Sequence, residues 1–335
     1  MTQSLRWGIL GPGRIAHKFA AGLNESTEAS LLGVASRDAE RGRTAAEEMG
    51  AERSYGSYAE ILADTDIEAV YIALPNSLHA EWAIRAAQAG KHVLCEKPLA
   101  PTAAEAESMF AAARANNVWL MEAFMYRFHP RTLRLQEIVD QGLIGNVRLV
   151  RVGFSFSLDR QQDVRWDVTL AGGALYDVGC YTINLARMVV GEAPQRVWAT
   201  AQWTATGVDH TLLGTLEYPG GALAQIACSF RASFQQQAQI VGNNGLIELD
   251  QAFTMHPHQE SSIRLWRGNH FAEQENMSLP AINHYRLEAE GFGRLIKAGH
   301  DTKQLPEMPL QETLDNLRTI EALLRSAREG HAIEL

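Results

Sequence analysis

Residues Gly11-Pro12-Gly13-Arg14-Ile15-Ala16 stand between a short apolar run, Leu5 to Leu10, and a helix-forming stretch from Arg14 to Leu23. The spacing is G-x-G-x-x-A. The first glycine permits a tight strand-to-helix turn, and the second lets backbone approach a pyrophosphate. The third position asks only for a small residue, so that helix and strand pack closely. The helix start then offers unpaired N–H groups and a partial positive charge to phosphate. Glycines alone can simply make a turn, so the units that follow supply the context. Ser30–Ala35, Ala69–Leu74, His92–Cys95 and Val118–Ala123 read as apolar strands. Asp38–Met49, Leu78–Ala89 and Thr102–Asn116 read as helices, with Gly50 and Gly90 as stops and Thr102 as an N-cap. Near-continuous apolar strands alternating with helices predict an α/β class: a doubly wound parallel sheet, the Rossmann arrangement, over residues 1–124.

Beyond residue 124 the period changes. Val147–Leu158, Gln195–Thr206, Thr211–Tyr218, Ala222–Phe230 and Gln235–Val241 alternate apolar and polar along much of their length. Tyr218-Pro219-Gly220-Gly221 and Gly242-Asn243-Asn244-Gly245 carry hairpin chemistry. One helix, about Leu175–Val190, precedes the later strands. Two more, about His284–Ala298 and Leu310–Arg328, close the chain, the second with an ordinary packed face of Leu314, Leu317, Ile320, Leu323 and Leu324. The expectation is a C-terminal α+β domain over 125–335 with a large, mostly antiparallel open sheet. Its last helices are free to pack back onto the first domain. Trp119 and Trp198 read as core. One open sheet face predicts a homodimer or homotetramer through the C-terminal sheet.

Bulk properties narrow the function classes. At 335 residues the chain is long for one core. A net charge of −9 and a pI near 5.7, with no Lys/Arg run, argue against nucleic acid as partner. Cys95, Cys180 and Cys228 form no CxxC and fit a reducing compartment. His256-Pro257-His258 has no further ligand nearby in sequence, so no metal is expected. The N-terminus MTQSLRWGILGPG has no signal-peptide pattern, and no apolar run reaches the ~18 residues of a membrane span. Cytoplasmic placement is the expectation.

The second strand selects the nucleotide. An NAD site usually places Asp or Glu roughly 20 residues beyond the glycines, to hold the ribose hydroxyls. Here that strand ends Val34-Ala35-Ser36-Arg37. A small hydroxyl and a guanidinium suit a 2′-phosphate, with Arg41 one turn into the next helix, and Asp38 is better placed as an N-cap. NADP is predicted over NAD.

In an open parallel sheet, ligands sit beyond the carboxyl ends of the strands. Leu74-Pro75-Asn76-Ser77-Leu78-His79 follows one such end and Glu96-Lys97-Pro98 the next. Pro98 ends the ladder and keeps Lys97 out of helical geometry. Lys97 then either projects into the cofactor crevice or snorkels at a strand edge. Further on, Gly172-Gly173-Ala174-Leu175-Tyr176-Asp177-Val178-Gly179-Cys180-Tyr181 joins a glycine turn to a helix on which Asp177 and Tyr181 stand at i and i+4, on one face. A lysine would satisfy both; alternatively Tyr181 packs by its ring. Arg165, before that turn with Trp166, either reaches cofactor or substrate or makes a surface salt bridge. Tyr126, Arg127 and His129 are candidates to line a pocket.

Taken together, the glycine loop, Pro75-Asn76 with His79, Glu96-Lys97-Pro98, and Gly172 to Leu175 with Asp177, Gly179 and Tyr181 resemble the glucose–fructose oxidoreductase/inositol dehydrogenase (Gfo/Idh/MocA) family over essentially the whole chain. Where many members carry His, this chain has Tyr181. With Met121 to Pro130, that is most similar to the trans-dihydrodiol dehydrogenase and NADP-dependent D-xylose dehydrogenase branch, which again implies NADP. The resemblance implies that Lys97 is catalytic and that Pro75, Asn76 and Glu96 lie near the nicotinamide ribose. It also implies an oxidoreductase acting on a sugar, polyol or cyclic diol. The expected cofactor-binding set is Gly11, Gly13, Arg14, Ile15, Ser36, Arg37, Arg41, Leu74, Pro75, Asn76, His79, Glu96, Lys97, Arg165 and Trp166. The substrate set is Tyr126, Arg127, Asp177 and Tyr181. Oxidising an alcohol requires a proton to leave oxygen as hydride leaves carbon. Free Tyr and Lys ionise near pH ~10, and mutual proximity beside a cationic ring lowers both. Lys97 and Tyr181 are therefore expected to act as one coupled acid–base unit, with Asp177 orienting substrate or phenol. Two alternatives stand beside it: redox-neutral catalysis on a tightly held cofactor, and a non-catalytic NADP-binding regulator.

Overall fold

A strand buried on both faces needs helices above and below it, and the first half of the chain supplies them. The computed structural model describes residues 4–268, 273–300 and 307–335. By internal contacts the chain divides into two units, Met1–Phe128 with Asn283–Leu314, and His129–Ile282 with Asp315–Leu335.

The first unit holds β1 (Leu5–Leu10), β2 (Ala29–Ala35), β3 (Arg53–Tyr55), β4 (Ala69–Ile72), β5 (His92–Glu96) and β6 (Leu120–Ala123). All pair in parallel, in the order β3-β2-β1-β4-β5-β6. Between them run α1 (Arg14–Asn24), α2 (Ala39–Met49), α3 (Tyr58–Ala63), α4 (His79–Gln88) and α5 (Ala103–Ala115). Trp7, Ile9, Val70, Tyr71, Val93, Leu94 and Cys95 are wholly buried. Helix starts follow their caps: Asp38 accepts from the Arg41 N–H at 2.9 Å and Thr102 from the Glu105 N–H at 3.2 Å. β3 and α3, of 3 and 6 residues, are too short to show a period and escape the sequence reading.

The second unit opens with α6 (Pro130–Asp140) and β7 (Val147–Ser155). Next come α7 (Cys180–Val190), β8 (Arg196–Trp203), β9 (Asp209–Glu217), β10 (Leu223–Ser229), β11 (Gln235–Gly242), β12 (Gly245–Leu249), β13 (Ser261–Arg267) and β14 (Glu273–Leu279). α8 (His284–Ala298) belongs to the first unit, α9 (Leu310–Glu329) begins in the first and continues in the second, and β15 (Ile333–Glu334) ends the chain. Among the described residues the nine strands run β14-β13-β12-β11-β7-β10-β9-β8-β15, antiparallel except where β7 meets β10. α7 packs on β7 and β10. Val197, Ala199, Ala224 and Ile226 are buried, while Thr200, Leu223 and Gln225 are exposed. Trp198 shares the open face: it is 46% exposed, not core as expected, because strand parity turns it away from Val197 and Ala199. Trp119 is half-buried and stacks on His300 at 4.4 Å.

Arg131, at the start of α6, has no signal in the sequence. It is 2% exposed, and its guanidinium donates to the carbonyls of Asp250, Gln251 and Ala252, each at 2.9 Å. Among the described residues, no helix is long and apolar enough to cross a membrane, and no three His, Cys, Asp or Glu side chains gather as a metal set.

Candidate active site

Because β1, β2, β4 and β5 are parallel neighbours, their carboxyl ends share one edge of the sheet. Gly11 follows β1 at φ +93°, and a Cβ there would stand 2.7 Å from the Leu74 side chain and 2.9 Å from the Ala73 carbonyl. Only glycine fits that approach. Gly13 precedes α1 without a side chain to cap it, and the first turn holds no acid. The terminal N–H groups beside exposed Arg14 and half-buried Ile15 are left to an anion, so this helix start fits a dinucleotide's pyrophosphate.

At the end of β2, Ser36 is buried and its Oγ accepts from the Asp38 N–H at 3.2 Å. Arg37 is exposed, and its guanidinium reaches the Tyr58 phenol. Arg41 lines a cleft of about 420 Å³ with Pro12, His17, Asp38 and Thr44. No carboxylate occupies the Ser36 position, so the residues present fit a 2′-phosphate better than a bare ribose.

Beyond β4, Pro75 leads into a 3₁₀ turn, Asn76–Leu78. His79 is wholly buried, with Nδ1 3.0 Å from the Pro98 carbonyl and Nε2 2.9 Å from that of Leu74. It ties the two strand-end loops together, and burial lowers its pKa. Lys97 is half-buried, and its peptide bond to Pro98 is cis. Glu96 accepts from the Tyr71 phenol and, through Oε2, from the Lys97 N–H at 3.2 Å. Glu122 at the end of β6 accepts from the Leu99 N–H at 2.9 Å, fixing the other side of Pro98. Burial, then Glu96 and Glu288, raise Tyr71 well above its ordinary pKa. Burial, then Glu96, does the same to the wholly buried Glu288 carboxyl on α8.

Tyr126 is wholly buried, edge-on to Phe124 at 6.1 Å. Arg127 is 7% exposed and pairs with Glu312 at 2.9 Å. Both are packed inside the first unit.

In the second unit, the helix expected over Leu175–Val190 divides into a π-helical turn, Leu175–Gly179, and α7. Asp177 lies in the π turn, and Tyr181 in the first turn of α7. Arg165 Nε donates to Asp177 at 2.6 Å, and its Nη1 to Asp163 at 3.0 Å. Both carboxylates raise the guanidinium's pKa, Asp177 most. Trp166 packs edge-on to Phe230 at 5.3 Å, under the Arg231 guanidinium. The Tyr181 ring is 5% exposed, 5.7 Å from Phe154 and 5.3 Å from Phe253. Lys97 belongs to the first unit and Tyr181 to the second. The sequence reading misses Tyr71, Glu122, Glu288 and Asp209. Tyr71 alone carries a signal, a phenol inside a wholly buried strand, where its hydroxyl must find a partner.

Residues 5–124 match the family described as GFO_IDH_MocA, oxidoreductase family, NAD-binding Rossmann fold, and residues 132–248 match the GFO/IDH/MocA C-terminal domain. The chain is 39% identical over 333 residues to a D-xylose 1-dehydrogenase (NADP(+)) of Haloferax volcanii, covering 99% of this chain and 100% of that protein. It is 36% identical over 323 residues to trans-1,2-dihydrobenzene-1,2-diol dehydrogenase of Mus musculus, covering 92% and 93%. Among solved structures it is similar to aldose-aldose oxidoreductase from Caulobacter crescentus, complexed with glycerol, at TM-score 0.90, 30% identity and 99% and 100% coverage. It is also similar to a 3-ketoreductase from Actinomadura kijaniata, in complex with NADP and TDP-benzene, at TM-score 0.88, 28% identity and 97% and 98% coverage.

Proposed function

The chain belongs to the Gfo/Idh/MocA family of oxidoreductases, and from that premise we propose that it is an NADP-linked dehydrogenase of CH–OH carbons in sugars, polyols or cyclic diols, with Lys97 and Tyr181 as its acid–base unit. The observation that carries the reading is the shared edge of β1, β2, β4 and β5. There the glycine loop, Ser36-Arg37, Leu74-Pro75-Asn76 and Glu96-Lys97 stand together. Residues 1–124 are read as the cofactor domain and 125–335 as the substrate and assembly domain. NADP supplies hydride acceptance and return when bound. The α1 N-terminus would hold its pyrophosphate, and Ser36, Arg37 and Arg41 would hold its 2′-phosphate. Lys97 and Tyr181 take the proton from the substrate hydroxyl, and Asp177, paired with Arg165, orients it. The test is absorbance at 340 nm with D-xylose, other sugars, polyols and dihydrodiols against NADP and NAD in parallel. No change with any substrate overturns the reading.

Ser36→Asp places a carboxylate where the 2′-phosphate is read. The ratio of kcat/KM for NADP to that for NAD is expected to fall roughly 100-fold or more, since juxtaposed like charges cost several kcal/mol. An unchanged ratio removes Ser36 from the specificity site.

The likeness to an aldose-aldose oxidoreductase favours one further reading, oxidation of one sugar coupled to reduction of another on a retained cofactor. Cofactor absorbance that persists through gel filtration supports it, and its loss removes it. The open sheet face, with Trp198, Leu213 and Leu223 all 46% exposed or more, is read as a self-association surface. Sedimentation velocity is expected to give a dimer or tetramer, and Leu213→Glu to shift it toward monomer; a wild-type monomer refutes this.

A further inference from the structure

Asp209 opens β9 and is 2% exposed. Its Oδ2 accepts from the Leu175 N–H at 2.8 Å, and the Ala174 N–H bonds to the same carboxyl. Its Oδ1 lies against the backbone of Gly173. A Cβ at Gly173 would stand 2.2 Å from that oxygen, and φ there is +134°, so both space and conformation demand glycine. The carboxylate therefore caps the amino end of the π turn from a neighbouring strand, where free N–H groups and the helix dipole favour negative charge.

The capped turn is an irregular one. Leu175–Gly179 is π-helical, a form that occurs mostly as single turns and frequently at functional sites. The Asp177 N–H donates to the Gly173 carbonyl at 3.0 Å. The carbonyls of Asp177 and Gly179 are taken by Cys180 Sγ at 3.6 Å and Thr182 Oγ1 at 2.7 Å. Cys228 of β10 lies beneath Gly179. The turn is thus held at its amino end by β9 and along its flank by β10, and it carries Asp177 directly and Tyr181 one turn on.

We infer that Asp209 is a positioning residue, whose carboxylate anchors the amino end of this turn and so sets where Asp177 and Tyr181 stand toward the substrate. The inference deepens the reading of Tyr181 given above and rests on it. Burial raises the Asp209 carboxyl to about 7, while the Leu175 and Ala174 N–H groups and Arg328 on α9 oppose that rise. The same N–H groups that Asp209 orders thus favour its ionised form.

The full-length Asp209→Ala and Asp209→Asn variants test it by two independent readouts. Amide hydrogen exchange over residues 174–181 is expected to quicken at least roughly tenfold in Asp209→Ala at unchanged exchange in β1, β4 and β5, because the cap is gone. Turnover of NADP with D-xylose is expected to show kcat lower by roughly 10- to 100-fold, with KM for NADP within about twofold, as misplacement near a reacting centre does. Asp209→Asn keeps one acceptor oxygen and is expected to recover most of both. Unchanged exchange over 174–181 in a folded variant overturns the inference. So does a kcat within about twofold of wild type, or a rise in NADP KM that matches the loss in kcat. Should Asp209→Ala not fold, Gly173→Ala, which drives a methyl into Oδ1, carries the same expectations and the same refutations. A wild type inactive on every substrate would sink the Tyr181 reading, while the exchange readout would still judge Asp209.

Discussion

Lys97→Met is expected to lower kcat by roughly 10³-fold while the Kd for NADPH stays within about threefold. Methionine keeps the length and apolar stem of the lysine and removes the ammonium, so the change isolates the proton-handling group. A positioned general acid or base contributes about 10²- to 10⁴-fold. Binding should survive, because the groups read as holding the dinucleotide lie elsewhere along the same edge: Gly11 at the end of β1, and Ser36 and Arg37 at the end of β2. Glu96 should also stay in place, since it is held by the Tyr71 phenol and by the Lys97 backbone N–H, which the substitution leaves intact. Stopped-flow kinetics with a fluorescence titration of NADPH checks both halves. A kcat within tenfold of wild type removes Lys97 from the chemistry. A Kd raised in step with the loss would make it a binding residue instead.

Tyr181→Phe is expected to lower kcat by roughly 10²-fold or more with little change in melting temperature. The ring is what packs: it stands 5.7 Å from Phe154 and 5.3 Å from Phe253 in an aromatic cluster that phenylalanine preserves. Only the hydroxyl is lost, and with it one partner of the acid–base unit. Residues that act as a unit lose little more when both are removed than when one is. The double variant Lys97→Met with Tyr181→Phe is therefore expected to fall close to the worse single variant. Full additivity of the two losses would mean the groups work independently, and normal turnover in Tyr181→Phe would end its role.

Much of the first unit was legible because its signals are local. Gly11 and Gly13 mark one turn, Asp38 and Thr102 mark helix starts through bonds spanning three residues, and runs such as AVYI and HVLC need no partner to declare themselves buried. Alternation in β8 to β11 announced an antiparallel sheet. It does not announce which parity faces the helices, and Trp198, expected in the core, lies on the open face at 46% exposure. Arg165 shows the same limit at the site: its charge was visible, but its partner Asp177, 12 positions on, was not. His79 was placed at the cofactor end of β4 by its position alone; that its ring spans the carbonyls of Leu74 and Pro98 came only from the fold.

Sequence alone thus determined most of the first unit's order of elements, the glycine loop and the residue types able to move a proton, since each follows from short-range stereochemistry and side-chain chemistry. Tertiary structure alone decided which polar groups are consumed in holding the site, among them Tyr71 on Glu96, Glu122 on Leu99 and Asp209 on Leu175. The reason is that a buried hydrogen bond is satisfied by whatever the fold brings within about 3 Å. These pairs lie 25, 23 and 34 residues apart, a separation that carries no periodic trace along the chain.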